Sequence, residues 1–234
     1  RMIRFVIDGI ALTVAALVVL VVVRSPGIRL ILCPYCFGFE RLQGNIYVES
    51  GTTPDLRQAV IRAEQISRAK ITAFFITRES DPVIFFCMTE RCYLRAGGHA
   101  ATRGMTFANA VLISPRRSGV TVLTHEWTHA EFLQRLGPRA RLVPAWFSEG
   151  LAVYVSDDRR YLAPASFSDR CLIDPAGELP ETPSDWLQVT TYNKKPFARA
   201  SCRISRWLAR KGNGAVLELI SEINAGRSFA GAYR

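Results

Sequence analysis

The chain is 234 residues long, 49% hydrophobic and 21% charged, enough for one ordinary domain with an appendage and too little for two large ones. That balance excludes a disordered chain, and no internal repeat or low-complexity tract is visible. The net charge of +10, from 30 basic against 20 acidic residues, suits an acidic partner or anionic lipid, but the arginines are scattered and no aromatic-interleaved basic stripe is present, so nucleic acid is not an expected partner.

The mean hydropathy of +0.10 is raised in one place, the run Phe5 to Val23 with Asp8 as its single charge. At the helical rise this run reaches about 28 Å, the thickness of a bilayer's hydrocarbon core. It predicts one transmembrane helix, and so a membrane partner through residues 5–23, with Asp8 near the interface. A cleaved signal peptide is the competing reading; Arg24, Ser25, Pro26 and Gly27 follow in place of a small-x-small cleavage site, which favours an uncleaved anchor. Arg1 and Arg4 on one side against Arg24, Arg29 and Arg41 on the other do not decide its orientation. The cysteines do. Cys33/Cys36, Cys87/Cys92 and Cys171/Cys202 are spaced as pairs for disulfides outside the cytoplasm, although other connectivities are open.

A Pro/Gly/Cys-rich link runs to about Gly44. Its Cys33-Pro34-Tyr35-Cys36 segment reads first as a local disulfide or paired thiols; zinc or partner binding and redox activity are the alternatives, the last without a βαβ context to support it. Asn45 to Glu49 alternates apolar and polar as an opening strand. Thr53-Pro54-Asp55 starts a helix that Leu56, Val60, Ala63 and Ile66 continue for about sixteen residues. Pro82 to Cys87 and Ala110 to Ser114 are short apolar runs bounded by breakers, read as strands, with a glycine-containing turn region holding His99 between them. Val120 to Leu136 is helical and stops at Gly137-Pro138. A further helix, again started by Pro, runs from Ala145 to Val155, and two or three amphipathic helices follow around Trp207 and Leu217 to Ile223. Strands early and helices late predict an α+β domain.

In the helix from Val120, the segment His125-Glu126-Trp127-Thr128-His129 matches HExxH. At i and i+4 the two imidazoles share one helical face and both can reach one Zn²⁺, with Glu126 beside them able to reach a water on the metal. The chain has only three His, and two fall in the motif. A tetrahedral zinc with an open position needs a third ligand. Glu149, in Pro144-Ala145-Trp146-Phe147-Ser148-Glu149-Gly150-Leu151-Ala152 on the next helix, can return to the metal, whereas Arg135 stands where a metzincin would place its third His.

With HExxH followed by PAWFSEGLA, and 19 residues between His129 and Glu149, the chain resembles the gluzincins, in particular small peptidases of the MA-like type whose second motif reads roughly P-x-W-x-x-E-G-L-A. The segment from Ser201 to Gly212 and Gly226-Arg227-Ser228-Phe229 also resemble that family's tail. The similarity covers about residues 45 to 234, strong at the two motifs and weak elsewhere. It implies a zincin-like domain with a small mixed sheet over the active-site helix, Zn²⁺ as cofactor, peptides or proteins as substrates, and metal-assisted hydrolysis with Glu126 as general base. It also implies an oxyanion donor, for which Tyr154, Tyr161, Tyr192 and His99 are candidates and Tyr192 ranks first, although Phe197 stands near where the family resemblance would look for a Tyr. Trp127 and Trp146 read as packing residues.

The expected organisation is a transmembrane anchor over 1–24, a cysteine-containing link over 25–44 and a metallopeptidase domain over 45–234 facing the periplasm or cell exterior. The alternative is a catalytically inactive zincin scaffold that binds an envelope component. Substrate preference and oligomeric state are not legible.

Overall fold

In the computed structural model, which describes residues 26–234 apart from 108, 117 and 118, five strands form one mixed sheet. They are β1 (Phe39–Gln43), β2 (Ile46–Glu49), β3 (Val83–Phe86), β4 (Gly104–Phe107) and β5 (Ala110–Ile113), in spatial order β1-β2-β3-β5-β4. β1 and β2 make an antiparallel hairpin turned at Gly44, whose φ of 49° suits a residue without Cβ. β2, β3 and β5 run parallel, and β4 pairs antiparallel with β5 as an edge. Side chains alternate across each strand, so Ile84, Phe86, Val111 and Ile113 serve one core while Phe85, Ala110 and Leu112 serve a second on the other face.

Helices α1 (Pro26–Leu32), α2 (Pro54–Phe75), α3 (Glu90–Arg95), α4 (Val120–Leu136), α5 (Ala145–Ser156), α6 (Pro183–Tyr192), α7 (Lys195–Lys211), α8 (Ala215–Asn224) and α9 (Phe229–Ala232) divide between those faces. Leu30 of α1 and Cys92 and Tyr93 of α3 fill the smaller core; the helices from α2 and α4 onward build the larger one. On α2 the buried positions Val60, Ala63, Ser67, Ile71 and Phe75 recur every three or four residues, the spacing of one helical face. Ile71 and Phe75 carry that stripe past the expected sixteen residues, to 22. Where α2 crosses α4, Thr124 Oγ1 donates to Ser67 Oγ at 3.0 Å and Ser67 to the Val120 carbonyl at 3.3 Å, so the small polar residues of this contact are satisfied.

The register of α4 is held by a buried carboxylate. Glu131 accepts from the backbone N–H groups of Glu79 and Ser80, both at 2.8 Å, from Ser80 Oγ at 2.6 Å and from Arg135 Nε at 2.8 Å. Trp127 Nε1 donates to the same Ser80 hydroxyl at 3.1 Å. The loop so clamped begins with a γ-turn at Ile76 (φ 65°, ψ −49°), in which Thr77 N–H donates to the Phe75 carbonyl at 2.6 Å, a strained conformation for a β-branched residue that persists only where its surroundings impose it.

Three disulfides join Cys33 to Cys36, Cys87 to Cys92 and Cys171 to Cys202, the pairs their spacing suggested, and no free cysteine remains. The third ties α7 to the long segment between α5 and α6, where Leu162 and Cys171 form an isolated bridge.

The expected fold class needs correction. The described residues form an α+β structure with a five-stranded mixed sheet, not a zincin-like domain led by a transmembrane helix. Among them no helix is long and apolar enough to cross a membrane. Even α2, at 22 residues, is interrupted by Asp55, Arg57, Arg62, Glu64, Arg68 and Lys70. The stretch 5–23 that carried the expectation lies outside the described residues.

Two outcomes follow from the packing. A Cβ on Gly150 of α5 would lie 2.7 Å from the backbone carbonyl carbon and oxygen of Ala200 in α7. Backbone cannot swing aside as a side chain can, so Gly150→Ala should cost about 1–3 kcal/mol in urea unfolding. Burial pushes the Tyr93 phenol, which bonds Thr102 Oγ1 at 2.7 Å, up to about 12. The unfolded phenol ionises near pH 10, so this contribution is full below about pH 10 and is lost towards about pH 12. Between about pH 9 and about pH 11.5 the wild type should lose up to about 2 kcal/mol more unfolding free energy than Tyr93→Phe.

Candidate metal centre

His125 and His129 stand one turn apart on α4, with their Nε2 atoms 3.2 Å from each other. Helix α5 packs against α4 and brings Glu149 Oε2 to 3.3 Å from His125 Nε2 and 3.7 Å from His129 Nε2. All three donor atoms thus lie within 4.8 Å of one another, a group that could hold one metal ion. Bonds of about 2.0–2.1 Å in a tetrahedron separate donor atoms by about 3.3–3.4 Å, and the three observed spacings bracket that value. The site fits a small tetrahedral cation without rearrangement of the helices.

The surroundings prepare the donors. His129 Nδ1 lies 2.9 Å from Ser148 Oγ; with the proton on Nδ1 donated to that hydroxyl, the Nε2 lone pair is left facing Glu149, which is how an outer partner fixes a ligand's tautomer. Burial works against charge on Glu149, but His129 and His125 outweigh it and hold the carboxyl well below the usual carboxylate range. Burial also opposes charge on His129, and Glu149 overcomes that too, raising the imidazole. Positive charge at this point is thus favoured by the groups around it.

Glu126 is buried, 8% exposed, beside the three donors. Burial pushes its carboxyl up against the opposing pull of His125 and His129. Thr106 Oγ1 on the edge strand β4 sits 2.9 Å from Glu126 Oε2 and 2.8 Å from its backbone carbonyl. Two residues earlier on the same strand, a Cβ on Gly104 would lie 2.6 Å from Glu126 Cγ and 2.8 Å from Oε1, so glycine at 104 leaves the space that the carboxylate occupies.

His125, His129 and Glu149 are brought together as the motif spacing predicts, with Glu126 next to them. Tyr192 is not brought to them: it ends α6 and is 92% exposed. Tyr154 packs edge-on to Phe74 at 6.1 Å, and His99 Nδ1 accepts from the Ala101 N–H at 3.2 Å within its own turn. The tyrosine near the donors is Tyr161, stacked at 5.0 Å on Phe197, whose ring centre is 6.4 Å from that of His125. Trp127 is fully buried and Trp146 nearly so, both in packing roles. Gly104 and Thr106 are not legible beforehand because β4, although Met105 and Phe107 alternate with them, is only four residues long, while Ser148 lies in view inside PAWFSEGLA.

The full chain should bind about one zinc per molecule, read by competition with a chromophoric chelator. Ser148→Ala should weaken that affinity about tenfold, and Glu149→Ala, which removes a donor, should weaken it further.

No protein-family model, no curated protein and no solved structure matches this chain, so the zincin-like fold expected from the two motifs has no structural match beside it and the centre rests on its own geometry.

Proposed function

We propose that this protein is a zinc-dependent hydrolase of peptide bonds acting outside the cytoplasm. The observation that carries the reading is the position of Glu126: a buried carboxylate next to three converging donors and under an edge strand. Two imidazoles and one carboxylate suit zinc and leave a fourth, open position in a tetrahedral site. The likeness of HExxH and PAWFSEGLA to the gluzincin motifs supports the same reading.

Bound there, zinc supplies Lewis acidity, polarising a substrate carbonyl and lowering the pKa of a water at the open position. Glu126 then accepts that water's proton on a carboxylate oxygen and returns it to the amine leaving group. Thr106 and the gap at Gly104 keep the Glu126 side chain where it can do both. Tyr161, stacked on the Phe197 ring that lies beside His125, is the phenol we assign to give the developing oxyanion a hydrogen bond. A peptide is favoured over other acyl substrates by β4: its outer edge is unpaired within the sheet, and an extended segment can add to such an edge alongside Glu126. The three disulfides favour an oxidising compartment.

The test is zinc content together with cleavage of a mixed peptide library. Glu126→Gln should keep the metal and lower turnover by about 10²–10⁴-fold, Gly104→Ala should lower it in the same direction by displacing the carboxylate, and a chelator should abolish it reversibly. Zinc bound by the wild type with no peptide cleaved would favour a non-catalytic scaffold; no zinc would end the reading.

A further inference from the structure

The junction between α6 and α7 places one cation beside the donor group. Lys194, immediately before α7, holds its ammonium 5.8 Å from the ring centre of Phe197. Phe197 is the middle of an aromatic wall: Tyr161 stacks on it at 5.0 Å, Trp186 meets it edge-on at 5.0 Å, and the His125 ring lies 6.4 Å away. The ammonium is thus no more than about 12 Å from the His125 ring, a span of about three extended residues.

The charges around this wall are unevenly matched. Arg160 sits over Tyr161, 5.1 Å from the ring centre, and is neutralised by the buried Asp158, with Nε 2.8 Å from Oδ1. Lys194 has no carboxylate partner among the described residues. Its ammonium is disfavoured first by burial and then by Arg103 and Arg160, with Glu149 pulling the other way, and Glu149 is already committed to the donor group. An incoming anion would relieve Lys194 of the like charge it faces.

We infer that the substrate carries a carboxylate within about three residues of the bond that is cut, and that Lys194, on the Phe197 wall, is the group that binds it. This rests on the hydrolase reading above. The carboxylate can be an Asp or Glu side chain or a free chain terminus; the chemistry recognised is the same.

Short peptide hydroxamates, which chelate the metal themselves, separate these cases by calorimetry on the zinc-loaded full chain. One pair differs as Glu against Gln, a second as C-terminal acid against amide. In at least one pair the acid should bind about tenfold tighter, and the pair that shows it identifies the source. That preference should vanish in Lys194→Met and remain in Lys195→Met, the neighbouring lysine with no ring contact shown; Lys194→Glu should reverse it. Equal binding within both pairs, or the same preference in Lys194→Met, would overturn the carboxylate inference while leaving the metal centre standing. If neither compound binds in a zinc-dependent way, the hydrolase reading fails and the inference falls with it.

Discussion

Two imidazole nitrogens and a carboxylate oxygen, all partly buried, face one another across 3.2 to 3.7 Å. Electron-rich atoms do not gather in that way unless something positive sits among them. Without a metal, the mutual attraction of these groups raises the His129 imidazole and depresses the Glu149 carboxyl. A divalent cation satisfies all three donors at once. Much of the remaining structure holds these atoms at that spacing.

That work is shared between two helix contacts and one strand. On α4 the register comes from the Glu131 clamp and from Trp127, whose indole shares Ser80 with it. Breaking such a clamp by removing the carboxylate would leave several buried donors unpaired, a cost of several kcal/mol, about 3–5 for a buried ion pair. On α5, Gly150 lets the backbone of α7 approach within van der Waals contact, and its neighbour Glu149 projects towards α4. The same α7 begins beside Lys194 and carries Phe197, so the helix that seats the third donor also builds the aromatic wall. Donor geometry and aromatic wall are in that respect one mechanical unit.

What could be read beforehand was whatever is periodic or punctuated. Val120 to Leu136 was legible as a helix to the residue because a buried stripe runs its length and Gly137-Pro138 ends it. The donor group was legible because helical periodicity turns a spacing of four into proximity, and because Pro144 announces the helix that bears Glu149. The strands β1 and β4 and the helix α3 were not read: each is six residues or fewer, and their pairing is decided by neighbours distant in the chain. Tyr192 shows the same limit. Sequence distance says nothing about which of several tyrosines stands towards the donors, and Tyr161 is linked to His125 through a stack on Phe197 that only the folded chain creates.

The three disulfides close loops of very different size. Cys33 and Cys36 are three residues apart and Cys87 and Cys92 five, whereas Cys171 and Cys202 are 31 apart. Short loops close at little entropic cost whether or not the rest of the chain has folded. The long one joins α7 to a segment with almost no regular structure. It therefore removes the most freedom from the unfolded chain of the three, and it does so at the helix that carries Phe197 and packs on the helix of Glu149: the bond that restrains the chain most lies behind the donor group.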